Sequence, residues 1–415
     1  MYKWSETDLL IQEAIRSFID DEIRPHLDAL DDGSQLPYPL IKKFFTSFGV
    51  DAMAKEAFSG LIEAQKKKRD NPAPADKKKG GGKSALAEAG GQASMALIAC
   101  AEFCRVAMGL TTAMGVSLGL TASTIQSRGT IEQQERWLLD LLTFDKVGAW
   151  AITEPDAGSD AFGGMRTVAK PDGEGGYILN GGKTFITNGP FADITVVYAK
   201  LDDGTIEDRR KQPVLTVVLE KGDPGFTQAA PFRKMGIHSS PTGQIFFDNV
   251  KVGADRVLGA AKEEDGRESA RSSFSMERMG VAAMALGVIE ECQRLCVDYA
   301  KSRVLKGVPI GDHQLIQLKL AKMEVARLNV EGMVFRTVEL LKDGKFPSLA
   351  EASAMKLYSS EAASEVANDA IRLFGGNGYM AEYRVEQLAR DAKSLEIYAG
   401  SNEIQVTHIA KELLK

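Results

Sequence analysis

The chain has 415 residues, of which 44% are hydrophobic and 26% charged, with a formal net charge of -6. That length allows two or three domains with sizeable cores, and the composition is that of a soluble globular protein. The acidic balance gives no support for a nucleic-acid protein, and no uninterrupted apolar run of about 18 residues announces a membrane span.

The start, "MYKWSETDLLIQEAIRSFIDDEIRPHL", lacks the basic flank and apolar core of a signal peptide. Ser5 and Asp8 form a capping pattern ahead of helical apolar spacing. Helical patterning runs to about Leu142 with one interruption at residues 63–92, "EAQKKKRDNPAPADKKKGGGKSALAEAGGQ". Pro and Gly break regular structure there, so a solvated surface loop is expected. The sharper alternative is a basic contact patch for an acidic partner, a nucleotide phosphate or a membrane face. The next stretch, "ASMALIACAEFCRVAMGLTTAMGVSLGLTASTI", is nearly continuous in apolar and small residues, and reads as a helix pair that is buried or lines a cavity. Cys100/Cys104 and Cys292/Cys296 each fall at helical i,i+4 spacing with scattered histidines, the pattern of buried, reduced thiols rather than metal ligands. "TIEQQERWLLDLLTFD" reads as a capped amphipathic helix.

From Val147 to about Val257 the pattern changes to strands and turns: "VGAWAIT", "GGYILNGGKTFIT", "DITVVYAKL", "PVLTVVLEK" and "GQIFFDNVKV". From about Gly266 long amphipathic helices return with short links, which predicts a bundle. The expected fold class is α+β. An N-terminal α-helical domain spans 1–145 with the Lys/Gly-rich insert 63–92, a central β domain spans 146–258, and a C-terminal four-helix bundle spans 259–415.

Three stretches can carry chemistry. "AWAITEPDAGSD" (149–160) ends a strand in a Pro/Gly/Ser loop with amides and hydroxyls that can wrap a polar ring or a phosphate. "KTFITNG" (183–189) sets Phe185 and Thr187 two apart on a strand and hence on one face, which suits a planar heteroaromatic ligand. A core Phe beside a surface Thr explains it equally. "RLFGGNGYMAEYRVEQLARDAKSLEIYAGSNEIQ" (372–405) stops one helix at Gly375-Gly376 and breaks another at Tyr-Ala-Gly-Ser-Asn, where a turn can aim backbone amides at a ligand.

Together the TEPxAGSD, ITNG, GGNGY and RDAK blocks, in this order on a helix–β–helix chain, resemble the acyl-CoA dehydrogenase family over nearly the whole length. The resemblance implies a homotetramer, a dimer of dimers, that carries FAD. It also implies a reaction: a carboxylate removes the α-proton of an acyl-CoA thioester, flavin N5 takes the β-hydride, trans-2-enoyl-CoA leaves, and electrons pass to an electron-transfer flavoprotein. It implies roles in fatty acid β-oxidation and a cytoplasmic location in a bacterium, with the mitochondrial matrix as the alternative.

By the same resemblance, Trp150, Ile152, Thr153, Gly158 and Ser159 contact the flavin edge, and Ser159 also faces the pantetheine. Phe185, Ile186 and Thr187 meet the isoalloxazine. Arg303 and Gln314 in "RVLKGVPIGDHQ" match the stretch that binds FAD phosphates and adenosine across a subunit interface. Arg372, Gly375 and Gly376, with Ser401 and Glu403, complete the FAD shell. Much of the family carries its base in a Tyr-Glu-Gly turn, where this chain has Ala399. The isovaleryl- and long-chain-type branch places it on the first bundle helix, where "FSMERMG" supplies Glu277. Its plain alternative is a first-turn Glu favoured by the helix dipole. With Glu277 as base, Phe274 and Arg278 lie on the substrate side, Ala399 keeps a backbone N–H for the thioester oxygen, and Gly400 lets the ligand approach. Thr112, Ala113 and Met114 are candidates for the acyl-tail pocket, and the absence of Arg or Lys from that stretch favours a medium, branched or ring-bearing acyl group over a diacid. No metal ligand set is expected.

The chain departs from the family at Lys306, where an aromatic is usual, at His238, where an Arg is common, and at 63–92. A catalytically silent flavoprotein subunit and an acyl-CoA oxidase are the competing readings.

Overall fold

The computed structural model describes residues 4–71, 83–259 and 263–415, the side chains of 83–93 and 263–276 excepted. The N-terminal helices are α1 (Glu6–Phe18), α2 (Leu27–Asp31), α3 (Tyr38–Ser47), α4 (Val50–Asp70), α5 (Lys83–Cys104), α6 (Met108–Gly115), α7 (Ser123–Arg128) and α8 (Ile131–Leu142). Ser5 and Asp8 close a reciprocal capping box on α1, and Thr130 and Gln133 do the same on α8, so two orphan donors are satisfied at each start.

The interruption at 63–92 is narrower than the sequence suggests. Helix α4 continues through Glu63 to Asp70, and α5 already covers 83–92, while 72–82 lie outside the described residues. Gln, Lys and Arg are good helix formers. Here they are also tied to α8, through Lys66–Glu135 at 2.6 Å, Gln65–Gln134 at 3.1 Å and Arg69–Glu132 at 3.4 Å. The helical run Met108–Arg128 is long and apolar enough by composition to cross a membrane, but 61% of its most apolar window is buried inside the protein. It is a core helix, kept continuous by a π turn at Val116–Ala122.

The central domain is built from β1 (Gly148–Ala151), β2 (Val168–Pro171), β3 (Tyr177–Thr187), β4 (Ile194–Leu201), β5 (Val214–Glu220), β6 (Phe226–Gln228), β7 (Thr242–Val252) and β8 (Val257–Leu258). They form one sheet in the order β6-β7-β3-β2-β4-β5-β8, with β1 parallel to β4. Every residue of β4 is buried. Ile194, Val196 and Tyr198 face the cluster that contains Trp137 of α8, and Val197 and Ala199 face the opposite cluster. A strand covered on both faces is mostly apolar, which is why "ITVVYAKL" is nearly continuous in apolar residues; the Nζ of its buried Lys200 donates to the Gln212 carbonyl at 3.1 Å.

The C-terminal part comprises α9 (Glu263–Ser302), a hairpin of β9 (Val304–Leu305) and β10 (Val308–Pro309), α10 (Gln314–Lys342), α11 (Leu349–Phe374), α12 (Val385–Ser394) and α13 (Asn402–Leu413). Lys306 and Gly307 turn the hairpin, both with positive φ (52° and 84°), the backbone that suits a two-residue connection. Helices α9, α10, α11 and α13 pack into the bundle, and α5 closes against α9. That approach is tight: a Cβ on Gly287 would lie 2.0 Å from the Ala101 carbonyl oxygen. Arg278 in the middle of α9 reaches Ser353 near the start of α11, and Tyr299 stacks on Phe374 near the ends of both, so the two helices run the same way.

Candidate active site

Three segments carry the candidate residues: the loop after β1, the end of β3, and the turn between α12 and α13 with its neighbours on α9 and α11. The first is the loop after β1. Lys183 at the end of β3 is buried, and its Nζ donates to Glu154 Oε1 at 2.8 Å and to the Ile152 carbonyl at 3.1 Å. Glu154 also accepts from the backbone N–H groups of Arg166 (2.6 Å) and Thr167 (2.9 Å), and Thr184 N donates to Thr153 O at 2.9 Å. The two motif-bearing stretches are thus locked into one unit. Burial pushes the Lys183 ammonium down to about 8 despite Glu154. Burial works to raise Glu154, yet Lys183 and the hydrogen bonds prevail and hold it below the usual carboxylate value.

Gly158 and Ser159 are exposed at the tip of this loop, with open space around Gly158. Trp150 and Ile152 are not at the surface. Both side chains belong to the β-domain core, and Trp150 Nε1 donates to Thr124 Oγ1 at 3.3 Å. Only backbone from these two positions can serve a ligand, because β1 is covered on both faces.

The second segment is the end of β3. Its register against β7 shifts between Lys183 and Ile186. Phe185 sits in that bulge with φ 57° and 67% of its surface exposed, beside Phe232 at a ring separation of 5.8 Å. A bulged β3 breaks the simple alternation expected of "KTFIT". Ile186 turns into the core, while Phe185 and the half-buried Thr187 remain near the surface. A left-handed, exposed aromatic is costly unless something uses it. Asn188 follows with φ 63° and acts as a hub: its Nδ2 donates to Ala113 O and Gly148 O, both at 2.9 Å, and Tyr38 Oη donates to its Oδ1 at 3.2 Å. Helix α6 and β1 are thereby held against β3.

The third segment is the Ala399 turn. Ala399 (φ 56°) and Gly400 (φ 81°) are both left-handed. Arg278 Nε donates to Ala399 O at 3.4 Å, and Gln405 Nε2 donates to Ala399 O at 3.2 Å and Gly400 O at 2.7 Å. With the carbonyls taken, the N–H groups of Ala399 and Gly400 donate to no acceptor among the described residues. Arg278, buried, thus works on the turn itself. Ser401 stands at the N-cap of α13 without a side-chain cap bond.

Glu277 lies in the middle of α9, fourteen residues after its start at Glu263, so a first-turn dipole role does not apply. Its carboxyl is pushed up to about 7 by burial, against the pull of Arg278 and then Lys356. The same carboxylate neighbours the Tyr398 hydroxyl, whose pKa rises through burial first, then Cys104 and Glu277, with the Thr112 hydroxyl opposing. Thr112 of α6 therefore shares a neighbourhood with Tyr398, and Tyr398 Oη contacts Met284 Sδ at 3.5 Å. Phe274 has a side chain outside the described residues.

The remaining candidates lie elsewhere. Arg303, Gln314, Arg372, Gly375 and Gly376 are exposed at the far end of the bundle, grouped by the Tyr299–Phe374 stack and by Asn377 bonding to Tyr299 Oη at 3.0 Å. Arg303 follows Glu277 by 26 positions along α9, about 39 Å at helical rise. One chain does not bring the two groups together. Glu403 is exposed on the first turn of α13. His238 bridges the Asp31 and Lys234 carbonyl oxygens and so links α2 to the β domain. Among the described residues no cluster of His, Cys, Asp or Glu can hold a metal. The sequence reading missed Lys183, Asn188, Gln405 and Lys356; Gln405 acts on the turn just before it, and the other three act through partners far away in the chain.

The chain matches the acyl-CoA dehydrogenase N-terminal, middle and C-terminal domain models over residues 80–145, 149–250 and 264–414. It is 35% identical to an acyl-CoA dehydrogenase of Bacillus subtilis, over 99% of this chain and 98% of that one. Among solved structures it is similar to butyryl-CoA dehydrogenase from Megasphaera elsdenii, with TM-score 0.82, 31% identity and full coverage of both chains. It is also similar to a chain from the electron transferring flavoprotein structure of Acidaminococcus fermentans, with TM-score 0.80, 30% identity and full coverage of both. The chain belongs to the acyl-CoA dehydrogenase family of FAD-dependent oxidoreductases.

Proposed function

We propose that the protein oxidises an acyl-CoA thioester to the trans-2-enoyl-CoA with Glu277 as the base. The observation that carries this is the pairing of a carboxyl tuned to about 7 with a turn whose amides are open. A base with that pKa is half ionised near neutral pH and strong enough to take a weakly acidic α-proton. The Ala399 N–H is positioned to stabilise the enolate-like thioester oxygen, a role that needs no side chain at 399.

The residues present fit FAD. Phe185 offers an exposed ring, the Gly158–Ser159 tip is open, and the N–H groups of Ala399 and Gly400 just before α13 have no acceptor among the described residues. Bound FAD would supply the two-electron acceptor, while the chain binds, orients and moves the proton. Trp150, Ile152, Thr153, Ile186 and Thr187 would meet it largely through backbone, with Ser401 and Glu403 on its far side.

The separation of Arg303, Gln314, Arg372, Gly375 and Gly376 from Glu277 supports a site completed by a second copy. We therefore read the assembly as a homotetramer, in which each such group serves a neighbouring subunit. An exposed apolar row on α10, with Leu315, Leu318, Val325 and Leu328, is consistent with burial in that assembly. For the acceptor we propose an electron-transfer flavoprotein, and for the setting bacterial cytoplasm and fatty acid β-oxidation, supported by the bacterial relatives. The Thr112, Tyr398 and Met284 neighbourhood favours an uncharged acyl group.

Anaerobic titration of the flavin-loaded protein with straight, branched and cyclic acyl-CoAs tests this. Bleaching by at least one thioester is expected, and no bleaching by any of them sinks the reading.

A further inference from the structure

Lys356 lies on α11 with none of its surface exposed. Its Nζ donates to Asn402 Oδ1 at 2.7 Å and to Glu396 O at 3.2 Å. Ser360 Oγ donates to the same Asn402 oxygen at 3.1 Å. Both acceptors of Lys356 are uncharged, and both flank the Ala399 turn. Burying an ammonium against neutral oxygens is unfavourable compared with an apolar side chain of similar length. Packing alone would be served better by Met, so the charge needs another reason.

That reason is found across the interface with α9. Arg278 and Lys356 are the cations that draw Glu277 down against burial. The groups acting on Lys356 are Arg278 and Glu277 from α9, Glu396 from the turn and Glu403 from α13. Burial brings it down to about 8, Arg278 adds to this, and the three carboxylates oppose. Arg278 holds Ala399 O while Lys356 holds Glu396 O, so two buried cations grip the carbonyls of one turn.

We propose that Lys356 is a positioning residue for proton abstraction: it anchors the Ala399 turn to α11 and adds a second cation beside Arg278 that helps keep Glu277 ionisable. This rests on the reading of Glu277 as the base. Lys356 does not touch the reacting atoms.

The flavin-loaded variants Lys356→Met and Lys356→Gln test it, the first nearly isosteric, the second keeping a donor for the turn without the charge. The acid limb of the flavin reduction rate against pH is expected to move up by about one unit in each. The rate at pH 7 should then fall about fivefold, as the ionised fraction of the base falls. A purely structural lysine would change rate or flavin content and leave the limb in place. An unmoved limb in either flavin-loaded variant, or loss of flavin from both, overturns the inference. Glu277→Gln, measured alongside, separates the two claims: a wild-type rate in that variant overturns the base assignment, whatever the Lys356 variants do.

Discussion

Arg278 and Ala399 are joined across 121 positions of sequence by a buried hydrogen bond, guanidinium Nε to carbonyl oxygen at 3.4 Å. The bond holds a non-glycine residue in a left-handed conformation, which costs about 1–2 kcal/mol by itself. Gln405 grips the same carbonyl from α13. Ala399→Gly removes the steric cost while keeping the N–H. It is expected to raise stability in urea unfolding by up to about 1 kcal/mol and to leave flavin reduction within a few-fold of the parent. A destabilised Ala399→Gly would contradict the strained-turn account.

The Lys183–Glu154 pair makes a different prediction. Both partners are buried, and the pair fixes the loop of 152–159 to the end of β3. Lys183→Met strands a carboxylate and should cost about 3–5 kcal/mol, with loss of bound flavin. The double variant Lys183→Met/Glu154→Gln should recover much of the stability, measured by a double-mutant cycle in urea. A double variant that loses the sum of the Lys183→Met and Glu154→Gln losses would show that the pair is not coupled.

Asn188 should behave as a hub. Asn188→Leu leaves the Ala113 and Gly148 carbonyls without their donor and forces a bulky residue to φ 63°. A loss of about 2–4 kcal/mol is expected by thermal or urea unfolding. Because α6 carries Thr112, KM for the acyl-CoA should rise in protein that still folds.

The separation of Glu277 from Arg303 and Arg372 predicts complementation. Arg303→Ala/Arg372→Ala should bind flavin poorly, and Glu277→Gln should bind flavin without turnover. Co-expressed, the two chains should form mixed oligomers in which some sites have both an intact base and an intact partner surface. Flavin reduction absent from either homomer should then appear; its absence from verified mixed oligomers would place the whole site within one chain.

Much of this was legible in the sequence, and the gaps have physical causes. Strands such as β4 and β7 announce themselves because burial pattern and β-branched content agree. Glu277 stands out as a candidate because Ala399 cannot hold a proton. The bulge at Phe185 was not legible, since a left-handed non-glycine residue leaves no local signature. Asn188 and Lys183 took their meaning from partners 29–75 positions away. Lys356 sits in "ASAMKLYSSEAASEV", where a lone Lys reads as a solvated face; only the packing of α11 against the turn buries it. Helix α4 outran its expected end because α8 supplies acidic partners for its basic residues.

Glu277 also links activity to pH and stability. Its folded pKa of about 7 lies above the ordinary 4.5. Between those values the folded chain keeps a proton that the unfolded chain has lost, so stability is full below 4.5 and is lost as pH rises through 7. Glu277→Gln removes that loss, and at pH 8 should be more stable than the parent by about 1–3 kcal/mol.

The most direct measurement is anaerobic stopped-flow bleaching of the bound flavin by a productive acyl-CoA, parent against Glu277→Gln, at equal flavin content. The account predicts a rate about 10²–10⁴-fold lower in the variant, with the parent's acid limb near pH 7. A Glu277→Gln protein that bleaches at the parent's rate would contradict it.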